Sequence, residues 1–126
     1  PATFIKRANE VNLAMPAYVV KRVIAGVGGS VKGKSVVVVG VSYKANVADT
    51  RETPAASIID LLGEAGASVS WHDPLVGSWR GENSADLDAC DVAVVVTKHD
   101  VVSISDIKKS SYIFDCTGSI PGVDGI

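Results

Sequence analysis

The stretch Val36–Pro54 limits the possible folds of this chain more than any other. It opens with Val36-Val37-Val38-Val39-Gly40-Val41, carries no charge before Lys44, and closes on Thr53-Pro54. A run of β-branched residues without alternation fits a strand buried on both faces, as a parallel sheet covered by helices requires. Thr53 and Pro54 read as N-cap and first residue of a helix: a hydroxyl can accept an orphan amide, and proline has no amide proton to orphan. The loop between them, Ser42 to Glu52, exceeds the roughly 2–6 residues usual for a strand-to-helix connection, and loops of that length are usually functional. It carries Lys44 and Arg51 beside a helix N-terminus, a combination that favours phosphate.

Composition narrows the partners. The 126 residues are 47% hydrophobic and 21% charged, which suits one globular domain, with room for an appendage. The formal net charge of −2 supplies no global field for nucleic acid or an anionic membrane, so any anion site has to be built locally. The apolar runs Val36–Val41 and Val92–Val96 are far short of the ~20 residues that cross a bilayer, and no signal peptide is visible. Cys90 and Cys116 form no C-x-x-C pair, which points to a reducing cytoplasm, and His72 and His99 lack partners at metal-ligand spacing. The chain opens at Pro1 inside a helical pattern, as a piece of a longer protein would.

Phe4, Ala8, Val11, Met15, Val19, Val23 and Val27 recur at helical spacing, with Pro16 marking either a kink or the start of a second helix. Gly28-Gly29-Ser30 ends the pattern, so the boundary falls between 1–30 and 31–126. Ala55, Ile58, Ile59, Leu62 and Ala65 form the apolar face of a helix stopped by Gly66. Ala67–His72 is a second strand running into an Asp73-Pro74 turn, and Leu75–Asn83 reads as loop. A helical turn is expected over Ser84–Ala89, a third strand over Val92–Thr97, a short helix over Ser103–Lys109 and a fourth strand over Tyr112–Asp115. Nothing regular is expected after Cys116.

This alternation predicts an α/β fold: an open parallel sheet with right-handed crossover helices. Ligands of such folds bind at the carboxyl ends of the strands. That edge holds Tyr43, Lys44 and Arg51, then Asp73, then Lys98 and His99, then Asp115 and Thr117. Only Gly40 follows the first strand, so the G-x-G-x-x-G grip for a dinucleotide is missing. Asp73 stands where a ribose-binding acid would, yet Asp-Pro is more economically a turn. His99 has no visible nucleophile to activate and reads as a strand-end polar residue, and Trp71 and Trp79 read as packing.

Three ordered segments carry a specific likeness: Gly40-Val41-Ser42-Tyr43-Lys44, Asp49-Thr50-Arg51-Glu52-Thr53-Pro54, and His72-Asp73-Pro74. Together they resemble the C-terminal, Rossmann-like domain of the UDP-glucose/GDP-mannose dehydrogenase family, with its G-x-[AS]-[FY]-K, D-x-R-E-[ST]-P and D-P pattern. Asn12–Val20 is similar to the end of that family's central dimerisation helix, in the branch that oxidises UDP-N-acetylhexosamines. The likeness fades after Asp115.

The resemblance implies an NAD-dependent oxidation of a nucleotide sugar at C6, from alcohol to carboxylate, through a thiohemiacetal on a cysteine. It assigns Tyr43 and Lys44 to the nucleotide-sugar substrate and Arg51 to the NAD pyrophosphate across an interdomain cleft. It also implies a homodimer formed through the N-terminal helix. Neither Cys90 nor Cys116 resembles the family's G-x-G-G-x-C nucleophile, so the expectation is a domain that binds without turning over. Thr117 departs from the pattern, standing where many members carry an arginine. The alternatives from other classes are a stand-alone nucleotide-binding or regulatory module and a dimerisation element.

Overall fold

The computed structural model describes residues 15–126. Helix α1 covers 15–26, so the expected apolar positions Phe4, Ala8 and Val11, and the question of what precedes Pro16, lie outside the described residues. The elements that follow are β1 (Ser35–Val39), α2 (Ala55–Glu64), β2 (Ser68–His72), β3 (Ser78–Trp79), β4 (Glu82–Asn83), β5 (Val92–Val95), α3 (Ile104–Ile107), β6 (Tyr112–Asp115) and β7 (Asp124–Gly125).

Five of the strands make one sheet in the order β2-β1-β5-β6-β7, every pair parallel. The valine run sits at its centre, with Val36 opposite both Val69 and Val92. Alternate side chains serve two cores. Val36 and Val38 pack with Val19 and Val23 of α1 and with Ala55, Ile58 and Leu62 of α2, whereas Val37 and Val39 pack with Val102, Ile107 and Ile120. Strand β1 is covered on both sides, and Val36 to Val39 are at most 1% exposed, which is why the sequence shows no alternation there. The chain steps from β1 to β2 in one direction and from β5 to β6 in the other. Crossovers of one hand then put α2 and α3 on opposite faces, as observed.

Helix α2 begins as expected. Pro54 already has helical dihedrals, φ −69° and ψ −14°, and Thr53 Oγ1 accepts the Ala55 amide at 3.3 Å. It ends at Gly66, φ +96°, whose amide reaches Gly63 O while the Ala67 amide reaches Leu62 O; these two bonds form the Schellman motif.

Three expectations are corrected. Leu75–Asn83 is not all loop: β3 and β4 pair as an antiparallel hairpin across Arg80 and Gly81, whose φ values of +54° and +78° are those of a tight turn twisted to match the strands. Ser84–Ala89 forms no helical turn. Its amides go elsewhere: Ser84 donates to Gly77 O and Ala85 to Trp71 O, which holds the segment extended along β2. Beyond Cys116, β7 adds a fifth parallel strand, pairing Phe114 with Asp124 and Asp115 with Gly125.

A clamped loop at the carboxyl edge of the sheet

The first turn after β1 is set by a close approach. Gly40 adopts φ +86°, and a Cβ on it would lie 2.0 Å from Thr97 O. Glycine therefore allows the loops after β1 and β5 to touch. The next residues are held from below. The Val41 amide donates to Asp73 Oδ2 at 3.0 Å, and Ser42 O accepts from Thr97 Oγ1 at 3.0 Å and Thr53 Oγ1 at 3.4 Å. Ser42 Oγ donates to Lys44 O at 2.9 Å.

Beneath the loop lies a buried pair. Asp73 and His99 are both 0% exposed, with His99 Nε2 at 2.9 Å from Asp73 Oδ2. Asp73 Oδ1 accepts the Leu75 and Val76 amides at 3.0 and 3.2 Å, the bonds of the expected turn. Its carboxylate thus faces inward to loop amides and a histidine. His99 Nδ1 accepts the Asn46 amide at 2.8 Å, and Asn46 Oδ1 accepts the Asp100 amide at 2.9 Å. The pair thereby ties the ends of β2 and β5 together beneath the loop that follows β1. Sequence reasoning took His99 for a strand-end polar residue and missed the pairing. The available signal was that β2 and β5 flank β1 in a parallel sheet, so residues just after both strands converge on the loop that follows β1.

The outer half of the loop carries the charges. Asp49 receives the Arg51 backbone amide at 2.9 Å and its guanidinium in a fork, Nε at 3.0 Å and a terminal nitrogen at 2.7 Å. These hydrogen bonds pull the Asp49 carboxyl down to about 2, and the same fork raises Arg51. The clamp is therefore complete at neutral pH and is lost only as pH falls toward 2. The Arg51 side chain is 86% exposed, so an exposed pair of this kind organises the loop more than it stabilises the fold. Tyr43, Asp49, Arg51 and Glu52 line one shallow cavity of about 350 Å³. The structure thus brings Tyr43 and Arg51 together. Lys44 is outside that lining, exposed on the same loop, with no side-chain hydrogen bond or ion pair among the described residues. The lining itself carries one cation against two carboxylates, a local charge of −1, with the Lys44 cation outside it.

The other candidates are structural. Thr117 donates its hydroxyl to Asp115 Oδ1 at 2.6 Å, and Asp115 Oδ2 accepts the Ile120 amide at 2.9 Å, so both residues are engaged in a turn. Burial, and then the neighbouring Asp115, push the Cys116 thiol up to about 12, and burial raises Cys90 as well. Both stay protonated at neutral pH and are poor nucleophiles. Among the described residues no group of His, Cys, Asp and Glu could hold a metal ion, and no helix is long and apolar enough to cross a membrane.

Comparison with known proteins supports the fold. Residues 37–121 match the model of the UDP-glucose/GDP-mannose dehydrogenase family, UDP binding domain. A UDP-N-acetyl-D-mannosamine dehydrogenase of Methanococcus maripaludis is 40% identical over 113 residues, covering 86% of this chain and 26% of the relative. The chain thus spans about a quarter of the length of the curated relatives it matches first. Among solved structures, an NDP-N-acetyl-D-galactosaminuronic acid dehydrogenase from Methanosarcina mazei superposes with a TM-score of 0.74 at 29% identity, covering 86% of this chain and 26% of that one. A UDP-N-acetyl-mannosamine dehydrogenase from Staphylococcus aureus does so with 0.72 at 28% identity, covering 99% and 32%.

Proposed function

Because the chain belongs to the UDP-glucose/GDP-mannose dehydrogenase family through its UDP-binding domain, we propose that the loop Ser42–Glu52 holds the nucleotide half of a UDP-sugar. In the whole enzyme this serves NAD-dependent oxidation of the sugar C6 alcohol to the uronic acid. The observation that carries the reading is the clamped loop at the carboxyl edge, with Tyr43 and Arg51 lining one cavity and Lys44 beside it. Tyr43 and Lys44 contact the substrate, and Lys44 neutralises a phosphate so that the sugar is presented in one orientation. Arg51, projecting from the loop, is the donor suited to the NAD pyrophosphate, since a guanidinium offers phosphate a rigid fork. NAD supplies the oxidant, held mainly by a domain outside this chain. The nucleophile also lies outside, as the raised thiols of Cys90 and Cys116 support.

The sugar is a UDP-hexose or UDP-N-acetylhexosamine, the latter favoured by the relatives' substrates. On the same reading, residues 1–30 end a central helix through which two copies pair as a cytoplasmic homodimer, and residues 31–126 form the nucleotide-sugar-binding unit. Calorimetric titration with UDP-N-acetylglucosamine, UDP-glucose, GDP-mannose and NAD+ tests the proposal. Weak UDP-sugar binding is expected, reduced about tenfold by Lys44→Ala, the loss of roughly 1.4 kcal/mol from one exposed charge-assisted contact. NAD+ binding as strong as UDP-sugar binding, or UDP-sugar binding indifferent to Lys44→Ala, would overturn it.

A further inference from the structure

We infer that His99 is a positioning residue for the nucleotide: through Nδ1 it fastens the Asn46 amide and so holds Tyr43 and Lys44 in their binding geometry. The inference rests on the reading that this loop holds the nucleotide.

The hydrogen bonds assign the tautomer. The partner of Nδ1 is an N–H, so Nδ1 is the acceptor, and Nε2 then carries the proton donated to Asp73 Oδ2. Ser42 Oγ, 3.3 Å from Nε2, has its own hydrogen on Lys44 O and can therefore only accept from Nε2, as the longer branch of a donation shared with Asp73. Asp73 thus fixes the imidazole, and the imidazole fixes Asn46. The consequence for the loop is geometric. Ser42 is tied at its carbonyl by two threonine hydroxyls, and Asn46 is tied at its amide by His99 and at its side chain by the Asp100 amide. Only residues 43 to 45 lie between these anchors. Asn46 sits at φ +65°, the left-handed region that asparagine adopts more readily than most non-glycine residues. A fully buried imidazole needs a partner for both ring nitrogens, and here the partner of the second is the loop itself, two residues from Lys44; a loop ordered before binding loses less entropy on binding.

Two substitutions separate positioning from packing. His99→Gln places an amide nitrogen near the position of Nε2 and keeps a donor for Asp73, but leaves Asn46 N–H without an acceptor. His99→Asn places a carbonyl oxygen near Nδ1 and keeps that acceptor while giving up the Asp73 bond. Amide hydrogen exchange at Asn46 and UDP titration, both on the full chain, are the readouts, with melting temperature measured alongside. His99→Gln is expected to speed Asn46 exchange at least tenfold and weaken UDP about tenfold, whereas His99→Asn stays within about threefold on both, although it too melts earlier. Equal loss of UDP affinity in both variants, or wild-type affinity in His99→Gln, would overturn the inference. If the unsubstituted chain does not bind UDP, the functional reading of the loop fails and the ligand half of this inference falls with it. Asn46 exchange would still report the His99 anchor.

Discussion

Gly40 is the residue on which the site turns, because the loops after β1 and β5 meet at its missing side chain. An added Cβ would meet the Thr97 carbonyl in a backbone conformation, φ +86°, that already disfavours side chains. Gly40→Ala is therefore expected to cost about 3 kcal/mol or more, read as a fall in thermal midpoint, because neither carbonyl nor strand can move away cheaply. At this scale, sequence reasoning located the charges but not their support. Lys44 and Arg51 stand out as cations in an over-long loop beside a helix start, and Asp49 is close enough in sequence to orient Arg51. The His99–Asp73 pair has no such signature, since its members are separated by 26 positions and meet only because their strands flank β1.

Among the elements, those with a strong local pattern formed where expected. Strand β6 spans Tyr112–Asp115, the expected bounds, and Ser103 caps α3 by accepting the Ser105 amide at 3.2 Å. The elements that went unforeseen are too short to carry a period, and the one expected in error is the helical turn over Ser84–Ala89. Two residues each make β3, β4 and β7, and they exist because a partner strand supplies hydrogen bonds. Strand β7 also depends on a missing side chain: a Cβ on Gly125 would lie 2.5 Å from Asp115 O. Gly125→Val is expected to release β7 from β6, seen as faster amide exchange in residues 124–125 and lost protection of the Tyr112–Asp124 contact, now 2.8 Å, with the central sheet intact. Unchanged exchange there would show that β7 does not depend on the close approach.

For the whole molecule, the sheet carries the stability and its carboxyl edge carries the clamped loop proposed to hold the nucleotide. A nucleotide bound only by the folded state should therefore stabilise the entire chain. UDP at one hundred times its dissociation constant adds about 2.7 kcal/mol, which for a domain of this size is a rise of roughly 10 °C in thermal midpoint. NAD+ at the same concentration should produce little change, because only Gly40 follows β1 and the glycine-rich grip for a dinucleotide pyrophosphate is missing. The sequence alone determined the layered α/β architecture, since a buried valine run flanked by half-apolar helical segments has few other ways to leave water. It also put Lys44 and Arg51 in the long loop after the first strand, at the carboxyl edge of the sheet. The tertiary structure decided what holds them there. Hydrogen bonds between residues far apart in the chain obey no period, so Asn46, Asp73 and His99 became one assembly only when parallel pairing brought the ends of β1, β2 and β5 side by side.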